Sequence, residues 1–271
     1  MAIQIDDHSQ DVSRRRFLQK AGLAAALVST VALSGKASGS ISKGPEADLD
    51  KIKNLLSAKE PAVWLFTGDS ITHGAKHTHG YRSYPEIFEE RIKWELKRFR
   101  DVTINTGISG NTTNSILDDY DWRVAHFKPS VVSLMIGTND CSKKEITTEV
   151  FDKNLITLLM QIRKSGAVPV FHTPNIIIKE KSAARAGIEE YVKVMRKVAD
   201  ENQVIVVDNY AHWQGTFDKS KTENVFKDWL NDPLHPNERG HQEIARQMFK
   251  SLSIFDPKEP SCGGAYYEGE H

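Results

Sequence analysis

A serine in one part of the chain and an Asp-His pair in another have the types and spacing that nucleophilic catalysis needs. Ser70 follows an apolar run and a Gly-Asp pair in WLFTGDSITHG, at the end of a strand predicted to be buried on both faces. Asp232 and His235 lie far downstream in DPLHPN, just before the last predicted helix. Such a turn lets the carboxylate reach Nδ1 of the imidazole while Nε2 stays free for a serine. The sequence therefore offers a nucleophile, a base and a carboxylate that orients the base.

Two further stretches, each predicted to follow a strand, could supply hydrogen-bond donors to a negatively charged oxygen. In INTGISGNTT, Gly107 and Gly110 leave backbone N–H groups unobstructed, and in GTND the amide of Asn139 can donate. Taken singly, each of these patterns is more typical of an ordinary turn. Their order along the chain and their shared position at strand ends favour a single site.

Short apolar runs alternate with helical patterns over most of the chain and predict the scaffold that brings these residues together. The runs that read as buried strands are residues 63–67, 102–105, 131–136, 168–173 and 204–207. Strands alternating with helices imply right-handed crossovers and a parallel sheet covered on both faces. We therefore expect an α/β fold, a three-layer α/β/α sandwich of about five strands, formed by one domain over residues 61–255.

The predicted helices are amphipathic, and their apolar stripes are assigned to the core. The first begins with the capping-box pattern SYPE at residues 83–86. Its predicted inward stripe is Tyr84, Phe88, Ile92, Leu96 and Phe99.

The two ends of the chain differ from this pattern. Residues 1–37 contain Arg14, Arg15 and Arg16 followed by Phe-Leu and an apolar stretch, which resembles a twin-arginine export signal. The stretch is shorter than the ~20 residues that a membrane-spanning helix needs, so no stable span is expected in the mature protein. Residues 38–60 read as a polar segment and residues 256–271 as a flexible tail. The resemblance implies passage through the twin-arginine export machinery to a bacterial periplasm or beyond.

Charge and cysteine content exclude some classes of protein. Lys plus Arg and Asp plus Glu number 36 each, so no basic surface for nucleic acid is indicated. Two cysteines, Cys141 and Cys262, are too few for a disulfide scaffold, and a bond between them stays open at this point.

The ordered motifs resemble the SGNH or GDSL hydrolases, a family of esterases and lipases. The four blocks are GDSIT around Ser70, GISGN around Gly110, GTND around Asn139 and DPLHPN around Asp232 and His235. The resemblance implies a flavodoxin-like sandwich and ester hydrolysis without a metal or organic cofactor. It also implies that Ser70 is the nucleophile, His235 the base and Asp232 its orienting partner. The Ser70 backbone N–H, Gly110 and the side-chain amide of Asn139 would form the oxyanion hole.

Two rival functions use some of the same residues. Asp69, Asn139, Asp140 and His235 are ligand types for a two-metal phosphoesterase, but the Asp-x-His and Gly-Asn-His patterns of such sites are absent from the sequence. A non-catalytic binding module with the same fold is disfavoured because every chemical residue is present.

The loop after the nucleophile, HGAKHTHGYRSY, suggests a polar entrance. His73, His77, His79, Tyr81 and Arg82 are candidates for substrate binding, and a metal-ligand role for the histidines is less favoured. Core packing is favoured over sugar stacking for Trp122, Trp213 and Trp229. Together with export, the polar entrance favours removal of acetyl groups from a carbohydrate over cleavage of a long-chain lipid, so the expected partner is a small-molecule or oligosaccharide ester. Lysophospholipid, thioester and aryl ester substrates stay open.

Overall fold

Strands and helices alternate along the chain as the sequence predicts. The structure, a computed structural model, describes residues 44–74, 76–219 and 224–266. Its strands are β1 Val63–Gly68, β2 Val102–Asn105, β3 Val131–Met135, β4 Val168–His172 and β5 Ile205–Val207. The α-helices are α1 Gly44–Ser57, α2 Ser70–His73, α3 Tyr84–Glu90, α4 Thr113–Asp118, α5 Tyr120–Arg123, α6 Thr148–Lys164, α7 Ile188–Asn202, α8 Asn209–Lys219, α9 Val225–Asp228 and α10 Glu238–Ser251.

The five strands form one parallel sheet in the order β2-β1-β3-β4-β5. The chain first moves from β1 outward to β2 and then returns to the other side of β1 for β3. The carboxyl ends of β1 and β3 therefore flank the point where the winding direction reverses, which is where open α/β sheets bind ligands. Ser70 follows β1 and Asn139 follows β3, so the topology delivers both to this crevice.

Side chains of the strands alternate between two apolar layers, which gives the predicted three-layer sandwich. Trp64 and Phe66 of β1 pack in one core with residues of α1, α3, α8 and α10. Leu65 points to the opposite core, which is built from α4, α5 and α6. Helix α7 contributes to both cores at the β5 side of the sheet. The fold class expected from the sequence is confirmed.

Part of the segment predicted to be merely polar is a helix. Helix α1 occupies Gly44–Ser57, and its Ile52 is fully buried in the core beside Leu49, Leu55 and Leu56. These apolar residues recur at helical spacing, but the lysines and acidic residues between them lower the average hydropathy. From residue 44 onward, the segment expected to be polar is therefore an amphipathic helix that packs on the core through its few apolar residues.

Two further expectations about packing need correction. Phe99 is 61% exposed, because the helix widens into a π-helical segment at Arg91–Glu95 and ends before Phe99 can continue the stripe. The first part of the predicted flexible tail packs against the domain, since Ser261 and Cys262 are buried and Ser261 donates to Glu95 through its backbone at 2.8 Å. Cys141 and Cys262 are both free thiols, so they do not pair.

The predicted export signal lies outside the described residues, and the twin-arginine assignment stays a prediction. Within the described ranges, none of the helices combines the length and apolar character that crossing a bilayer requires.

Candidate active site

Ser70 is held at a sharp bend between β1 and α2. A side chain on Gly68 would lie 2.1 Å from the carbonyl oxygen of Met135 on the neighbouring strand, so only glycine allows the two strands to approach here. Asp69 then caps α2 by accepting a hydrogen bond from Ile71 N–H at 3.0 Å. The cap fixes Ser70 as the first helical residue, with 8% of its surface exposed at the sheet edge.

The loop that carries Asp232 and His235 is closed on itself before α10 begins. Leu230 and Pro236 form an isolated antiparallel bridge, and Asn231 N–H donates to the carbonyl of His235 at 2.9 Å. Asn237 caps α10 by accepting from Gly240 N–H at 3.0 Å. The loop is also tied to the segment after β4, because Asn175 Nδ2 donates to the Leu234 carbonyl at 3.1 Å. These bonds hold the loop in place, so that the imidazole of His235 faces Ser70.

Ser70, His235 and Asp232 form a continuous hydrogen-bonded chain. Ser70 Oγ lies 2.9 Å from His235 Nε2, and His235 Nδ1 lies 2.7 Å from Asp232 Oδ2. A carboxylate can only accept, so Nδ1 carries the proton and Nε2 presents its lone pair to the serine hydroxyl. In this tautomer the imidazole can take the serine proton.

The other carboxylate oxygen of Asp232 is anchored by the backbone. Oδ1 accepts from Leu234 N–H at 2.8 Å and from His235 N–H at 2.9 Å. Burial by itself would raise the pKa of Asp232, but these two bonds and the contact with His235 outweigh it, and the net effect lowers the pKa. The group is thus an anion wherever His235 is needed as a base.

The two predicted donor loops meet beside the serine. Ile108 N–H donates to the Gly68 carbonyl at 3.1 Å, which ties the loop containing Gly110 to the end of β1. Gly110 has a φ of 85°, a left-handed conformation that favours glycine. Asn139 Nδ2 donates to the carbonyl of Asn111 at 3.1 Å, so the amide lies directly against the Gly110 loop. Such a set of N–H groups can stabilise a tetrahedral oxyanion.

A buried arginine that no motif revealed connects these loops. Arg123, at the end of α5, is fully buried and donates to the carbonyls of Thr106 at 2.8 Å and Gly68 at 3.2 Å. It also donates to Asn111 Oδ1. The bend at Ser70 and the Gly110 loop therefore share one guanidinium. Burial lowers the pKa of Arg123, the opposing effect of Asp119 being smaller.

His77 is the residue of the polar loop that contacts the hydrogen-bonded chain most closely. Its ring stacks on His235 with centroids 3.5 Å apart and an angle of 8° between planes. Its Nδ1 lies 3.8 Å from Asp232 Oδ2. Burial lowers the pKa of His77, and nearby His235 lowers it further, against the weaker opposing effect of Asp232. A neutral His77 ring covers one face of His235 and limits its rotation.

The His77, Asp232 and His235 side chains also offer ligand atoms within 4.8 Å of one another, which raises the question of a metal. Imidazole lone pairs lie in the ring plane, and Zn²⁺ sits ~2.0–2.1 Å from the nitrogen. Two parallel rings 3.5 Å apart cannot both direct a lone pair at one ion without rotating. This arrangement suits the acid–base chain better than a metal.

The other candidate binding residues occupy different places. His73 Nδ1 lies 3.1 Å from Ser109 Oγ and so borders the Gly110 loop. His79 and Tyr81 are exposed, and Arg82 is engaged with Glu90 and Tyr266. Trp213 and Trp229 are buried in contact with each other, as the favoured core interpretation holds, whereas Trp122 is 61% exposed.

The acidic residues that a two-metal site would need serve other purposes here. Asp69 caps α2, and Asp140 Oδ1 accepts from the backbone and hydroxyl of Thr113 at 2.8 and 2.6 Å. Both are fully buried. Burial raises the pKa of Asp69 to about 7, aided by Asp140, although the bond from Ile71 opposes it. Burial also raises the pKa of Asp140.

The raised pKa of Asp69 predicts a pH-dependent stability. The folded protein keeps this proton up to about pH 7, whereas an ordinary aspartate loses it near 3.8, so folding takes up a proton between these values. The free energy of unfolding therefore falls as pH rises from about 4 to 7, by at most about 1.4 kcal/mol per pH unit from this group. Asp69→Asn keeps a capping oxygen and should remove that slope.

Urea unfolding of both proteins at pH 5 and pH 7 measures this difference. Asp218→Asn, at an exposed carboxyl on α8, is the matched control and should keep the slope of the wild type. An equal slope in Asp69→Asn and wild type would contradict the assignment.

Comparisons with known proteins agree with this geometry. Residues 66–243 match the model of the GDSL-like Lipase/Acylhydrolase family. An acetylxylan esterase of Geobacillus stearothermophilus is 25% identical, the match covering 70% of this chain and 93% of the relative. An uncharacterised protein of Mycoplasma pneumoniae is 38% identical over 40% of this chain, but the match spans only 13% of that protein. The crystal structure of LAE5, an alpha/beta hydrolase enzyme from the metagenome of Lake Arreo, Spain, is 25% identical with a TM-score of 0.60, covering 71% of this chain and 95% of LAE5.

Proposed function

The chain belongs to the GDSL-like lipase/acylhydrolase family and is a carboxylic ester hydrolase, and we propose that it removes acetyl groups from carbohydrate esters. The observation that carries the chemistry is the 2.9 Å contact between Ser70 Oγ and His235 Nε2, backed by Asp232. Three things support the acetyl-carbohydrate substrate: the name of the Geobacillus relative, the polar side chains of His73 and His77 beside the site, and the predicted export.

In the proposed mechanism, Ser70 Oγ attacks the ester carbonyl while His235 Nε2 takes its proton. The backbone N–H groups of Ser70 and Gly110 and the amide of Asn139 hold the oxyanion. His235 then returns the proton to the departing alcohol, which leaves an acetyl group on Ser70. Water, deprotonated by the same imidazole, releases acetate and regenerates the serine. Every proton transfer uses His235, and the chemistry calls for no cofactor.

The proposed place of action is the bacterial periplasm or the medium. It rests on the twin-arginine pattern at Arg14 and Arg15, and cell fractionation of the producing organism tests it.

The substrate proposal is tested with a chain-length series of chromogenic esters alongside acetylated xylo-oligosaccharides, on wild type and Ser70→Ala. We expect the acetyl ester to have the highest kcat/KM, acetate to be released from the oligosaccharides, and both activities to be lost in Ser70→Ala. Insensitivity to a chelator would separate this enzyme from a metallophosphoesterase. Turnover of esters of about eight carbons or more that equals that of acetyl esters would contradict the acetyl assignment and favour a lysophospholipid or thioester substrate.

A further inference from the structure

Arg185 lies outside all four motifs but contacts the turn that carries Asn139. It belongs to a short 3₁₀ segment, Ala183–Arg185, between β4 and α7. Its Nη2 donates to Asn139 Oδ1 at 2.8 Å, and its Nε donates to the Thr138 carbonyl at 3.0 Å. Two donors of one rigid, planar group therefore hold two successive residues of the GTND turn.

These contacts determine which way the Asn139 amide faces. An arginine can only donate, so the atom facing it must be the amide oxygen. The amide nitrogen then donates to the Asn111 carbonyl at 3.1 Å. A flipped amide would bring donor against donor at Arg185 and acceptor against acceptor at Asn111, losing both bonds. The nitrogen carries two hydrogens, so one is left for a bound oxyanion.

Arg185 also brings positive charge to a site with two buried carboxyl groups. Asp69 and Asp140 both lie fully buried beside the nucleophile and the GTND turn. The Arg185 charge counteracts the effect of burial on Asp69. The same charge would favour an anionic intermediate at Ser70 over the neutral ester.

We propose that Arg185 is a positioning residue for the oxyanion hole, which orients the Asn139 amide so that its N–H faces the tetrahedral intermediate. The inference rests on the proposed ester hydrolysis and names a residue that the family motifs do not include. Its role is exerted through Asn139, so its removal should impair turnover more than substrate binding.

A double-mutant cycle with Asn139 tests this inference. Arg185→Ala should lower kcat for an acetyl ester by about 10–100-fold with KM changed by no more than about twofold. Asn139→Ala should lower kcat by about 10²–10³-fold. The double variant should lie within about threefold of Asn139→Ala, because no amide is left to orient. Arg185→Lys, which cannot make both bonds at once, should fall between wild type and Arg185→Ala.

Two controls keep the outcome interpretable. Arg163→Ala removes an arginine that contacts Asp48 and Asn202 away from the site, and it should keep the wild-type kcat. Labelling of Ser70 by a fluorophosphonate, followed by mass spectrometry, reports the same oxyanion hole without an ester substrate and should slow in parallel in Arg185→Ala. If the two kcat losses multiply in the double variant, or if folded Arg185→Ala keeps half of the wild-type kcat, the inference is wrong. If wild type fails to hydrolyse any ester, the proposed function fails instead, and the labelling rates still decide the role of Arg185.

Discussion

Replacing His235 with alanine is expected to lower kcat for an acetyl ester by about 10⁴-fold or more. The 2.9 Å contact makes Nε2 the base nearest to Ser70 Oγ, and a serine hydroxyl is a weak nucleophile without one. KM should change little, because the imidazole acts mainly in the transition state. Steady-state kinetics with a chromogenic acetyl ester measure the loss.

The orientation of the Asp232 carboxylate predicts how the activities of Asp232→Asn and Asp232→Ala differ. Two backbone N–H groups fix one side-chain oxygen as an acceptor, so in Asp232→Asn the amide NH₂ must face His235 Nδ1. That imposes the tautomer whose Nε2 carries a proton and cannot accept from Ser70. We expect a loss of about 10³–10⁴-fold, larger than that of Asp232→Ala, which leaves the tautomer free.

An exposed histidine provides the control for both variants. His126→Ala, in the 3₁₀ segment Ala125–Phe127 after α5, should keep the wild-type kcat. Retention of more than a tenth of the activity by folded His235→Ala would contradict the assigned base, and an Asp232→Asn variant more active than Asp232→Ala would contradict the tautomer argument.

Replacing Arg123 with methionine is expected to lower the free energy of unfolding by about 3–5 kcal/mol. Methionine fills much of the same space but leaves the partly buried Thr106 carbonyl without the Arg123 donor and the Gly68 carbonyl with Ile108 N–H as its remaining donor, and it also loses the bond to Asn111 Oδ1. Removal of the Arg123 guanidinium should also reduce kcat at temperatures where the variant is folded, because the bend at Ser70 and the Gly110 loop no longer share a hydrogen-bond partner. Urea unfolding and steady-state kinetics on the same preparation measure the two effects.

Arg100→Met is the matched substitution at an exposed site. It should change the free energy of unfolding by less than about 0.5 kcal/mol. If Arg123→Met costs less than about 1 kcal/mol, the buried guanidinium is not the structural link that its contacts indicate.

Most of the scaffold could be predicted because its signals are local. Three of the four motifs follow β1, β2 and β3 and the fourth precedes α10, and the five apolar runs coincide with β1 to β5 within about one residue at most ends. A parallel sheet brings the carboxyl ends of its strands to one edge, so Ser70 and Asn139 could be placed together without coordinates. The Asp232–His235 pair was predicted for a similar reason, since its spacing is set within a single turn.

The features that the sequence did not reveal concern segments whose burial depends on distant partners. Helix α1 was missed because charged residues surround its apolar stripe, and only the sheet shows that Ile52 is enclosed. Phe99 was placed inside because its helical spacing continues past the point where the π-helical segment ends the helix. Ser261 and Cys262 were assigned to a flexible tail, although Glu95 of a distant segment holds them.

By itself, the sequence determined the sheet, the bend at Ser70 and the candidate catalytic residues, because apolar periodicity and turn residues act over a few neighbouring positions. Only the tertiary structure decided how those residues are oriented. His77 stacks on His235, Arg123 joins two loops and Arg185 fixes the Asn139 amide, and each contact links residues from 12 to more than 150 positions apart. An isolated arginine or histidine carries no local signal of its partner, since the contact exists only after the sheet and its crossovers have brought the loops together.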